Sequence, residues 1–160
     1  MVEAYNFLAS WQLFPEKGTY EIGHRPKSGI YRIEFGERSK QLTISMNWVS
    51  LEDQAFSSSY QVMADGEEQP LDQSELGDTV RCHFEDSSHF EILFYRAGQA
   101  KLKVMHEITP KGYLKVTHTH HTEEQAALTN TEIYHKQLSV LPYSASVSGA
   151  VIKPNEQGLI

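Results

Sequence analysis

Cysteine is almost absent: the 160-residue chain has one, Cys82. A lone thiol excludes an internal disulfide framework and fits a reducing compartment, so a cytoplasmic protein is the expectation. Long apolar runs are missing too. The longest uncharged apolar stretches are strand-sized, which excludes a transmembrane helix and gives no means of membrane insertion. The opening Met1-Val2-Glu3-Ala4-Tyr5-Asn6 has no basic region followed by an apolar core, so it does not read as a secretory signal. Cations are few. Lys and Arg total 14 against 21 Asp and Glu, a net charge of −7 with His neutral. Phosphate backbones require clustered cations, and no basic stripe is visible, so nucleic acid and anionic membrane surfaces are poor partners. Nucleophile signatures are lacking as well: there is no Gly-x-Ser-x-Gly elbow, and nothing beside Cys82 would activate a thiol. Cys82 reads instead as a small core residue.

What the chain does have is period-two alternation in many short runs. Tyr31, Ile33 and Phe35 alternate with Arg32 and Glu34, and Leu42, Ile44, Met46 and Trp48 alternate with Thr43, Ser45 and Asn47. Phe56, Tyr60 and Val62 share a parity, as do Val80, Cys82 and Phe84, then Phe90, Ile92 and Phe94. Leu102, Val104, His106 and Ile108 follow, then Leu114, Val116, His118 and His120, and a last run from Thr131 to Leu138. With Phe7 to Phe14 and Thr19 to His24, about ten half-buried strands are predicted.

The separators suit hairpins. Lys17-Gly18, Lys27-Ser28-Gly29, Gly36-Glu37-Arg38, Asp65-Gly66, Gly77-Asp78, Asp86-Ser87-Ser88, Ala97-Gly98 and Pro110-Lys111-Gly112 supply glycine or Asx where a turn needs them. Short links join antiparallel neighbours, and a long meander with almost no helix to cover its edges is best satisfied by closing on itself. Several strands carry bulk on both faces, Leu93 and Tyr95 opposing Phe90 to Phe94. The expectation is therefore an all-β, closed, up-and-down antiparallel barrel over residues 1–138, with a β-sandwich as the alternative. Thr122 to Leu128 has a Thr N-cap and Gln three residues on, which allows a turn or two of helix or a long connection. The acid-rich stretch from Asp65 to Asp78 reads as a solvated loop, because the ordered oxygen spacing of a calcium loop is missing. Residues 139–160 are rich in Ser, Gly, Pro and small apolar side chains and read as a C-terminal extension.

Two segments carry a resemblance. Phe7-Leu8-Ala9-Ser10-Trp11-Gln12-Leu13 resembles the first-strand signature of the calycin superfamily, in which a tryptophan plugs the closed end of the barrel; Ala9 stands where a glycine is usual. Val104-Met105-His106-Glu107-Ile108, Lys111-Gly112-Tyr113-Leu114-Lys115-Val116-Thr117 and Thr131-Glu132-Ile133-Tyr134-His135-Lys136 resemble the last three strands of the intracellular fatty-acid-binding proteins. The likeness covers roughly a quarter to a third of the chain and implies a calycin-like barrel that binds lipid-like small molecules. In that family, two inward arginines and a tyrosine on the final strands hold the ligand's carboxylate. Tyr134 falls on the tyrosine position, but His106 and Glu132 fall where the arginines would be. No helical lid follows Leu13, and the family's usual recognition of a fatty-acid head is not implied.

Parity leads independently to the same place. His106 is in register with Leu102, Val104 and Ile108, and His118 and His120 with Leu114 and Val116. If those apolar residues face inward, so do the three histidines. Glu132 and Tyr134 share one parity and face the same space if the resemblance sets their direction. The candidate ligand-binding residues are thus His106, His118, His120, Glu132 and Tyr134, with Trp11, Trp48 and Phe35 holding an apolar body. The partner expected is a small hydrophobic or amphipathic molecule. Two alternatives stand beside binding: a haem or metal site on the histidines, and an enzyme (isomerase, dehydratase or hydrolase) using His106 with Glu132 or Tyr134 as acid and base.

Overall fold

The computed structural model describes residues 1–72, 75–122, 124 and 126–138. Among these lie eleven strands: β1 (Ala9–Leu13), β2 (Thr19–Tyr20), β3 (Ser28–Phe35), β4 (Gln41–Val49), β5 (Ala55–Met63), β6 (Gln69–Pro70), β7 (Thr79–Asp86), β8 (His89–Arg96), β9 (Gln99–Ile108), β10 (Leu114–His121) and β11 (Ala127–Lys136). Short 3-10 turns at Val2–Phe7 and Pro15–Lys17 flank β1. Alternation does what the sequence requires. Leu42, Ile44 and Met46 of β4 are buried, as are Phe90, Ile92 and Phe94 of β8, while their odd-numbered or even-numbered neighbours stay partly solvated. Each large apolar side chain so buried contributes about 1.5–3 kcal/mol of transfer free energy.

All pairings are antiparallel, and the sheet runs in the order β5-β4-β3-β1-β11-β10-β9-β8-β7-β6, with β2 added to β11. This is one continuous rolled sheet rather than the two packed layers of a sandwich. It is also not fully closed, contrary to the sequence expectation. Alternating directions along the order make β5 and β7 run the same way, so all-antiparallel closure would take a full strand between them. β6 supplies two residues of it. Pro70 has no N–H to give, Gly66 and Gly77 take positive φ on either side, and acids crowd the intervening chain. The β5 side of the seam is held by a side chain: Gln69 accepts from Met63 N at 2.7 Å and donates to Met63 O at 3.1 Å.

Other departures are local. Thr19 to His24 yields only the two-residue β2, after which Asn130 Oδ1 accepts the N–H groups of Glu21 and Ile22 (2.9 and 3.1 Å) and Asn130 Nδ2 donates to Ile22 O at 3.0 Å. Gly29 is not a turn residue but lies inside β3 opposite Trp48, where an added Cβ would come within 3.1 Å of the indole. At Ala97-Gly98 both residues take positive φ (50° and 78°), the conformation a two-residue hairpin needs. The Thr122 to Leu128 stretch is a connection: Thr122 N and Oγ1 both bond to Ala126 O, and Ala127 and Leu128 already belong to β11. Residues 123 and 125, and the expected extension 139–160, lie outside the described residues. Among the described residues no helix is long and apolar enough to cross a membrane.

Candidate functional site

The two ends of the barrel differ. One end is plugged. Phe7, at the end of the first 3-10 turn, packs edge-on against Phe84 and Phe90, with centroids 5.9 and 4.7 Å apart. The Trp11 indole donates to Phe7 O at 2.9 Å, and Lys136 Nζ lies 5.5 Å from the centroid of its ring. Trp11 is therefore part of this plug and lines no cavity. Phe35 is a second correction. Its parity is inward, but it is the last residue of β3, where the strand has run past the plug; it is 45% exposed and packs on Tyr5.

Above the plug lies a polar layer. His106 is fully buried, stacked on its cross-strand neighbour Phe90 (centroids 4.0 Å apart, planes 5° apart). Its Nε2 is 2.7 Å from the Tyr31 hydroxyl, and its Nδ1 has no hydrogen-bond partner among the described residues. Burial, reinforced by nearby His118, holds the imidazole down at about 3, while main-chain groups of Phe90 and Val104 oppose this without hydrogen-bond geometry. At neutral pH it is uncharged. Tyr31 in turn interacts with the Tyr60 hydroxyl, and burial pushes both phenols up.

The other end opens into a cavity of about 400 Å³, a usual size for a small-molecule site. Tyr31 and Tyr60 form its floor. Met46, Trp48, Phe56, Phe94, Leu102 and Val104 make an apolar wall, and His118, His120, Asn130 and Glu132 make the polar one. The rim includes Arg25 and Glu52, both exposed.

Glu132 is 5% exposed and accepts two phenolic hydrogens: Tyr20 Oη to Oε2 at 2.7 Å and Tyr134 Oη to Oε1 at 2.8 Å. The first reaches in from the added strand β2, the second lies two residues along β11 on the same face. His118 pairs across the ladder with Asn130, and Glu132 with Val116, so His118 and Glu132 are diagonal neighbours. Burial lowers the pKa of His118 despite the opposing effect of Glu132, and burial lowers that of His120 as well. Both histidines are neutral acceptor–donor groups on the cavity wall.

Of the expected residues, His118, His120, Glu132 and Trp48 meet in the cavity. His106 and Tyr134 point inward but sit behind it, screened by Tyr31 and Glu132. His106 and Glu132 flank Val116 on opposite sides, His106 tied to Tyr31 and Glu132 to Tyr20 and Tyr134, so these two do not pair with each other. The three histidines do not assemble a metal site: among the described residues no group of three or more His, Cys, Asp or Glu side chains is placed to hold a metal ion. Sequence reasoning missed Tyr20, Tyr31 and Tyr60. Tyr31 and Tyr60 carried a usable signal, since each shares parity with an inward apolar run; Tyr20 did not, because its role depends on β2 docking against β11. No family model matches the chain, and no curated protein matches it either.

Proposed function

We propose that this chain is a calycin-like binding barrel that takes up a small, partly apolar molecule reversibly in the open-end cavity. The observation that carries this reading is the cavity itself: an apolar, aromatic wall facing half-buried His118, His120 and Asn130 and buried Glu132, above a floor of Tyr31 and Tyr60. The polar groups orient one end of the ligand, and Trp48, Phe56 and Phe94 cover the rest. Support for the calycin likeness comes from the tryptophan on the first long strand, seated in the plugged end beside a 3-10 turn, and from the antiparallel meander.

The test is native mass spectrometry of the protein as purified, with a visible absorption scan of the same sample. A bound small molecule, released on activation, is the expected result, and its mass gives the ligand class. A Soret band would replace this reading with haem binding. A clean mass, followed by no binding from a broad small-molecule screen, would refute it.

A further inference from the structure

The deep part of the cavity holds one formal charge, and that charge has no counter-ion. Glu132 makes no ion pair with any described Lys, Arg or His. The other formally charged residues on the cavity, Arg25 and Glu52, are exposed at its rim. Two phenols replace part of the hydration that a carboxylate loses on burial, but they bring no positive charge. The cavity that Glu132 lines also carries six aromatic side chains, those of Tyr20, Tyr31, Trp48, Phe56, Tyr60 and Phe94, with Phe56 half-exposed. Their faces are electron-rich and attract cations, most strongly where water is excluded.

We infer that the cavity is built for an organic ammonium ion with an apolar body, Glu132 serving as its counter-ion and the aromatic wall as its lining. This rests on the binding reading above and names its ligand class. The ammonium N–H groups find acceptors in the free lone pairs of Glu132 and in the neutral His118 ring. A carboxylate ligand at the same depth would face Glu132 with no fixed cation nearer than the rim. A neutral alcohol would fit the hydrogen bonds but leave the buried charge uncompensated. The net charge of −7 adds a long-range field of the sign that attracts a cation.

The test compares three ligands that differ only in headgroup, octylammonium, octanol and octanoate, by titration calorimetry on the full chain. Octylammonium is expected to bind roughly ten- to hundredfold more tightly than octanol, with octanoate weakest. Glu132→Gln should bring octylammonium down to the octanol level. If octanol or octanoate binds wild-type protein as tightly as octylammonium, the inference falls while cavity binding stands. If the ammonium preference survives in Glu132→Gln, Glu132 is not the counter-ion and the inference falls again. If none of the three binds, the inference falls, and the mass spectrometry and broad screen described above decide the binding reading separately. Should Glu132→Gln lose octanol as well, the headgroup order of the wild-type protein decides alone.

Discussion

The Tyr31 hydroxyl lies 2.7 Å from His106 Nε2, linking β3 to β9 across the barrel interior. Among the described residues it is the one hydrogen bond of the His106 ring, because Nδ1 has no partner there. Tyr31→Phe therefore leaves both ring nitrogens buried without partners, at a cost of about 1–3 kcal/mol. Removing the second polar group as well, in Tyr31→Phe with His106→Phe, should recover much of that loss and keep the stack on Phe90. Urea denaturation midpoints check this. An unchanged midpoint in the single variant would show that the bond contributes nothing.

His106 also makes stability depend on pH. Its folded value of about 3 lies below its ordinary 6.5, so between these limits the unfolded chain binds a proton that the folded chain refuses. Stability is full above pH 6.5 and falls as the pH drops towards 3, with a slope of up to about 1.4 kcal/mol per pH unit. His118 and His120 are shifted the same way and add to it. His89 is raised by its hydrogen bond to Asp86 and acts in the opposite sense, but that pair is exposed to solvent. Denaturation between pH 7 and pH 5, above most carboxylate titrations, should show a shallower slope in His106→Phe than in the wild type.

The two tryptophans divide the barrel between them. Trp48 lines the cavity, whereas Trp11 is sealed in the plug. Ligand entry should change indole fluorescence through Trp48 alone. Trp11→Phe is expected to keep the titration signal and Trp48→Phe to lose it, with calorimetry confirming that both variants still bind. A signal that follows Trp11 would place the ligand elsewhere.

Cys82 is fully buried on β7, and burial pushes its thiol well above the usual range. A thiol reagent at pH 8 should label it slowly in the native protein and rapidly in urea, with a rate difference of at least about a hundredfold. Fast labelling of the native protein would mean that the seam beside β7 opens readily.

Much of this was readable in the sequence because strand parity is a local property. Parity with apolar neighbours puts His106, His118 and His120 on the inner face, where they lie; for Glu132 and Tyr134 it gives only a shared face, and their inward direction rests on the resemblance. Parity gives the face but not the height along the barrel axis, which depends on the stagger of strands distant in the chain. That is why parity alone does not separate Trp11 and Phe35, which lie at the plugged end, from Trp48, which lines the cavity. The same limit hid the pairing of Tyr31 with His106 and of Tyr20 with Glu132, which lie 75 and 112 positions apart. The 3-10 turn at Val2–Phe7 has no apolar period to betray it. The broken closure depended on β6 shrinking to two residues, a contest between turn chemistry and ladder that alternation does not register.

That broken closure gives the barrel an unusual mechanics. With the Gln69 amide and one main-chain bond, Gly66 N–H to Cys82 O at 2.9 Å, standing in for a ladder, the sheet is a ribbon rolled until its edges nearly touch, not a hoop. A hoop can widen only by breaking main-chain bonds along a whole strand pair, whereas a ribbon can change its girth by letting its edges slide. Tyr60 and Phe94, edge to face at 5.3 Å and both on the cavity, stand beside those edges. The interior therefore has one yielding direction, and on the binding reading proposed above that is the side on which guests of different girth would be accommodated while the rest of the wall keeps its register.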